Sequence, residues 1–193
     1  MTTSPVDART GAKASFPRTT GRARGYDPKT VDASLERARA AFESDGADQT
    51  LRAAEVRSAA FPLVRRGYQP DVVDAALSRV EDAFASRERE RALSTSGAGA
   101  WIDQTRAQAQ EILDRLTREP KRRFARVRGL GYGYRIDEVD LVADKIAAYL
   151  SEGRPVTVEQ VRTVAFRMQR RGYREEQVDA LLDAVVDVML AVG

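Results

Sequence analysis

Cysteine and histidine are both missing from the 193 residues, and tryptophan occurs once. Those absences remove disulfides, thiol nucleophiles, imidazole bases and the usual zinc and haem ligands. No apolar run approaches the roughly 20 residues of a membrane-spanning helix. Met1 to Ser15 has no apolar signal core, and its Thr-, Ser- and Arg-bearing composition without periodicity predicts a disordered arm over residues 1–15. Phosphate loops, nucleophile–base pairs and metal constellations are lacking too, so neither catalysis nor a cofactor is expected. A cytoplasmic address, extending at most to the inner face of the membrane, is the simplest expectation.

What the chain does have is a pattern repeated four times: Gly-Tyr, four residues, then Val-Asp. The copies are Gly25-Tyr26…Val31-Asp32, Gly67-Tyr68…Val73-Asp74, Gly133-Tyr134…Val139-Asp140 and Gly172-Tyr173…Val178-Asp179. Apolar residues follow each valine at four, seven and eleven positions: Leu35, Ala38, Phe42; Leu77, Val80, Phe84; Ala143, Ile146, Leu150; Leu182, Val185, Met189. Periodicity of this kind marks a repeat architecture and points to a scaffold more than an enzyme.

With the residue after each tyrosine at the helix N-cap, tyrosine is N′ and valine N4, the spacing of a hydrophobic staple. Pro28 and Pro70 then fall at N1, and Asp27 is a good cap. Arg135 and Arg174 are poor caps, so those helices are expected to lean on Glu138 and Gln177 at N3. The aspartate after each valine either pairs with a loop arginine or lies on a solvated face. The four-then-three stripe is narrow, which suits helix-on-helix packing of coiled-coil or bundle type. Helices of this length need a partner, from the same chain or from a second copy, so self-association stays open.

The repeats are of two kinds. In the first and third, Phe16 and Phe124 precede the glycine by nine residues; in the second and fourth, Phe61 and Phe166 precede it by six. The second kind also shares an upstream helical segment, 55–61 and 160–166, and Thr157 with Gln160 has the form of a capping box. The order is A-B-A-B. The fold class expected is all-α, with a first repeat pair over 16–93 and a flexible linker at 94–100 (STSGAGA). A further amphipathic helix from Trp101 and the second pair then complete 101–193.

Formal net charge is only +3, but the cations gather before each Gly-Tyr and the acids after it. The loop arginines Arg22, Arg24, Arg65, Arg66, Arg126, Arg128, Arg170 and Arg171 are the candidate contacts for an anionic surface. Protein partners are expected first and an anionic membrane second. Nucleic acid fits the sequence pI of about 9.4 but is disfavoured, because an acidic helix follows each loop.

Phe61-Pro-Leu-Val-Arg-Arg-Gly-Tyr68…Val73-Asp74…Leu77 and Phe166…Arg171-Gly172-Tyr173…Val178-Asp179…Leu182 resemble the N-terminal domain of the DivIVA family of bacterial cell-division and polarity proteins. Phe16…Arg24-Gly25-Tyr26…Val31-Asp32…Leu35 resembles a longer-loop form. The four units together look like a DivIVA-domain repeat protein of the actinobacterial type. The resemblance implies a parallel dimeric helical unit whose inter-helix loop touches the membrane through an apolar residue and a neighbouring arginine. By position Arg66 and Arg171 match that arginine, with Arg24 equivalent in the first repeat and Tyr132 in its place in the third. Arg65, Arg170, Ala23 and Gly131 stand where the family carries the apolar residue. It further implies that the two repeats of each half imitate, within one chain, a dimer made elsewhere from two.

Overall fold

In the computed structural model, which describes residues 16–44 and 51–192, every Gly-Tyr leads into a helix. The order is β1 (Arg24–Tyr26), α1 (Pro28–Glu43), α2 (Ala53–Arg57), β2 (Leu63–Arg65), α3 (Pro70–Leu116), β3 (Tyr132–Tyr134), α4 (Ile136–Glu152), α5 (Val158–Arg162), β4 (Met168–Arg170) and α6 (Glu175–Val192). The expected arm at 1–15 lies outside the described residues. α1, α3, α4 and α6 begin where the motif register puts N1, with Pro28 and Pro70 at that position. There a missing N–H costs nothing, since no intrahelical carbonyl awaits it. α4 ends at Gly153, whose left-handed backbone (φ 69°) closes the last turn.

The chain is mostly helical, but the all-α expectation misses four three-residue strands among the described residues. They form two separate antiparallel ribbons, β1–β2 and β3–β4. Three residues are too few to show a period of two, and Gly-Tyr carries the composition of a turn.

The backbone divides into two compact units. Among the described residues the first holds 16–44, 51 and 56–80, and the second 52–55 and 81–192. The division falls within α3, not at the segment 94–100 expected to be a flexible linker. That segment is helical apart from Gly97, whose φ of 80° and ψ of 159° are nearly exclusive to glycine. Helix thus runs up to Gly97 and resumes after it, with a kink at that glycine.

In the first unit Val31, Tyr68 and Val73 form a buried core, joined by Phe16, Tyr26, Leu35, Phe61 and Leu77. The second unit's core is larger because the end of α3 contributes Ile112 and Leu116 to the helices α4 and α6. α6 consequently buries Leu181, Val186 and Val188 besides the stripe residues Val185 and Met189, a broader face than the stripe predicts. Each fully buried valine or leucine contributes about 1.5–3 kcal/mol relative to exposure. Phe42, a stripe residue of the first repeat, stays 43% exposed.

Candidate functional site

Gly25 and Gly67 lie back to back with no room for side chains. A Cβ on Gly25 would sit 2.1 Å from the Tyr68 carbonyl oxygen, and one on Gly67 2.3 Å from that of Gly25. Gly133 and Gly172 repeat the arrangement, at 2.2 Å from the Tyr173 oxygen and 2.4 Å from the Gly133 oxygen. This approach lets the adjoining tyrosines exchange backbone bonds. Tyr26 N–H donates to Tyr68 O at 2.9 Å and Tyr68 N–H returns one of 2.8 Å; Tyr134 and Tyr173 exchange two of 2.9 Å.

The side chains cross in the same sense. Tyr68 Oη donates to Asp32 (3.4 Å), Tyr134 Oη to Asp179 (3.4 Å) and Tyr173 Oη to Asp140 (3.1 Å). Tyr26 likewise bonds Asp74. The phenylalanines follow: Phe16 packs on Tyr68, Phe61 on Tyr26, Phe124 on Tyr173 and Phe166 on Tyr134, with ring centroids 5.1–5.4 Å apart. N-cap amides close the set. Asp27 N–H donates to Pro62 O, Gln69 to Pro17, Arg135 to Arg167 and Arg174 to Ala125, all at 2.8–2.9 Å.

Each motif residue is therefore completed by the other repeat of its own unit. Several expectations change on that account. Asp27 and Arg135 occupy the N-cap, but neither side chain caps its helix. Glu138 and Gln177 do not reach back to their own helix starts. Glu138 accepts from the backbone N–H and guanidinium of Arg167, and Gln177 from Ala125 N–H at 2.9 Å. The motif aspartates take tyrosine hydroxyls in place of loop arginines, except that Asp140 also faces the buried Arg123. Arg123 Nη1 donates to Asp140 O at 2.7 Å, and its Nη2 pairs with Asp144. The Thr157–Gln160 capping box forms as the sequence predicts.

Burial tunes the exchanged groups. It pushes the Tyr173 hydroxyl up to about 12, and raises Tyr26, Tyr68 and Tyr134 as well. Asp74 and Asp179 are also raised by burial, against the lowering effect of their tyrosine bonds. Glu138 goes the other way, held down chiefly by the Arg167 backbone N–H.

The ribbons carry the basic loops. Arg22, Arg24, Arg65, Arg66, Arg126, Arg128, Arg170 and Arg171 are all exposed. In the first unit the ribbon sets Arg24 directly across from Arg65. In the second it sets Tyr132 across from Arg170, whose guanidinium lies 5.9 Å from the Tyr132 ring centroid. Arg66 and Arg171 adopt left-handed φ values of 55° and 53°. Sequence reasoning overlooked Leu130, which is 78% exposed beside Tyr132, itself 56% exposed. Its position between Gly129 and Gly131 is the signal that could have found it. A buried ion pair was also missed: Arg162 on α5 meets Glu81 at 2.8 Å and Asp82 at 2.9 Å on α3. Trp101, half-buried, lines an open groove of about 570 Å³ with Ile102, Tyr149, Leu150 and Val188.

No protein-family model, curated protein or solved structure matches the chain. Among the described residues no cluster of metal-ligating side chains occurs, and no helix is long and apolar enough to cross a membrane.

Proposed function

We propose that the chain is a non-enzymatic scaffold or adaptor of DivIVA-like type, serving bacterial cell division or polar growth from the cytoplasmic face of the membrane. It consists of four helix–loop–helix repeats in A-B-A-B order, packed as a helical bundle. It binds protein partners of the division or polarity machinery and meets anionic membrane through its basic loops.

One observation carries this reading: the reciprocal exchange at each glycine–tyrosine pair. The resemblance implies a unit made from two identical chains, and here two unlike segments of one chain complete each other. The exchange leaves the arginine-bearing loops of A and B side by side on a paired ribbon. Several arginines, each contributing about 1 kcal/mol near an anionic bilayer, then act together.

A fluorescent fusion in the native cell tests it. Concentration at septa or poles is expected, and uniform diffusion through the cytoplasm would contradict it. A second reading, a protein-binding module without membrane contact, draws on the pairing of Arg123 and Arg167 with acids of their own unit. It predicts septal or polar location that persists when the protein ignores anionic vesicles at low salt.

A further inference from the structure

The two ribbons differ at each opposed pair, and the difference at the pair that carries the charge has a chemical meaning. In β1–β2 the directly opposed residues are Arg24 and Arg65. Like charges opposed across a strand pair repel, with Cβ atoms roughly 5 Å apart. Among the described residues, neither side chain has an acidic or hydrogen-bonding partner, and the neighbouring Arg22 and Arg66 side chains have none either. Arg66 is held at φ 55°, a conformation uncommon for a residue other than glycine, and Arg171 shares it at 53°, so the backbone there does not distinguish the two ribbons. Arg18 is occupied: it lies over the Tyr68 ring at 5.7 Å and donates to the Arg66 carbonyl at 3.4 Å.

In β3–β4 the partner of Arg170 is Tyr132. The guanidinium lies over that ring and its Nε donates to the Tyr132 hydroxyl at 3.4 Å. Cation–π contact and a hydrogen bond satisfy this arginine within the protein. In the second ribbon the opposed arginine, Arg170, is thus satisfied internally, whereas the opposed pair of the first is an arginine fork awaiting an anion.

We infer that the first unit's ribbon is a phosphate-group site, with Arg24 and Arg65 gripping the oxygens and Arg22 and Arg66 adding charge, and that the second unit's ribbon is not. Arginine forks match the oxygens of a phosphate in bidentate geometry, so an opposed pair is suited to one group between them. This deepens the membrane arm of the proposed function and rests on it: phosphate contact is assigned to one of the two units.

Exchanging the two ribbons' residues tests this in the full-length chain. Arg24→Tyr installs the second unit's arrangement in the first, and Tyr132→Arg does the reverse. Arg65→Gln, at an exposed strand position, serves if Arg24→Tyr loses helicity by circular dichroism. Co-sedimentation with phosphatidylglycerol and with phosphatidylcholine vesicles reads the binding. Arg24→Tyr or Arg65→Gln should weaken binding to the anionic vesicles about tenfold, and Tyr132→Arg should strengthen it several-fold. Inorganic phosphate distinguishes the sources. If it displaces the protein from vesicles, the fork takes the phosphate group itself; if it does not while Arg24→Tyr still abolishes binding, a headgroup displayed on a bilayer is required. Anionic binding unchanged in Arg24→Tyr, but lost on replacing Arg170 and Arg171, overturns the inference and leaves the scaffold reading standing. Indifference of the wild-type chain to lipid charge overturns both the inference and the membrane arm.

Discussion

The ribbon glycines are closely confined by backbone and cannot become alanine without moving it. At Gly67 and Gly172 a methyl group would meet main-chain atoms at 2.3 and 2.4 Å, and backbone cannot swing aside as a flexible side chain can. Gly67→Ala should therefore cost about 3 kcal/mol or more, seen as a large fall in the denaturant midpoint. A near-neutral effect would mean that the two repeats do not approach as described. The buried hydroxyl of Tyr173 is the next most exposed to test. It donates to Asp140 and accepts from Arg123 N–H at 3.3 Å, so Tyr173→Phe should cost about 1–3 kcal/mol. Its titration adds a pH signature. The folded pKa of about 12 lies above the ordinary 10.0, so the folded state holds the proton more tightly. That stability is fully present below pH 10 and is lost as pH rises toward about 12. Alkaline unfolding curves should show the loss in the wild type and a shallower one in Tyr173→Phe. The motif residues themselves were legible as a repeat. Their partners were not, because periodicity reports neighbours a few positions apart, whereas Tyr68 and Asp32 are 36 apart and Tyr134 and Asp179 are 45 apart.

Among the elements, the four long helices and their first residues could be read from Pro28, Pro70 and the valine spacing. The ribbons and the cross-repeat caps could not. Three-residue strands have no alternation to detect, and Glu138 and Gln177 carry the same signal whether they serve their own helix or the opposite strand. The glycine-rich stretch at 94–100 shows a related ambiguity, since its composition suits a linker while it is helical on both sides of a break at Gly97. Gly97→Ala should remove the preference for the break, which only glycine adopts without strain. Helical content measured by circular dichroism should rise slightly, and limited proteolysis within 94–100 should slow. Unchanged cleavage would show that Gly97 does not govern the local opening of α3.

For the molecule as a whole, each compact unit joins two unlike Gly-Tyr segments, A and B. A supplies the longer loop and B the short helix and tighter turn, and each completes the other's tyrosine, aspartate and N-cap. Charge is distributed to match, with loop arginines outside and Arg123 and Arg162 buried in ion pairs of the second unit. Because the sequence contains no cysteine, the exchange can be tested with engineered pairs on a clean background. Arg24→Cys with Arg65→Cys, and Tyr132→Cys with Arg170→Cys, place thiols at directly opposed ribbon positions. Opposed Cα atoms about 4.5–5.5 Å apart are within disulfide range. Mild oxidation followed by non-reducing electrophoresis should yield monomers with an internal crosslink, at every protein concentration. Covalent dimers, or free thiols after oxidation, would contradict the pairing of A with B inside one chain.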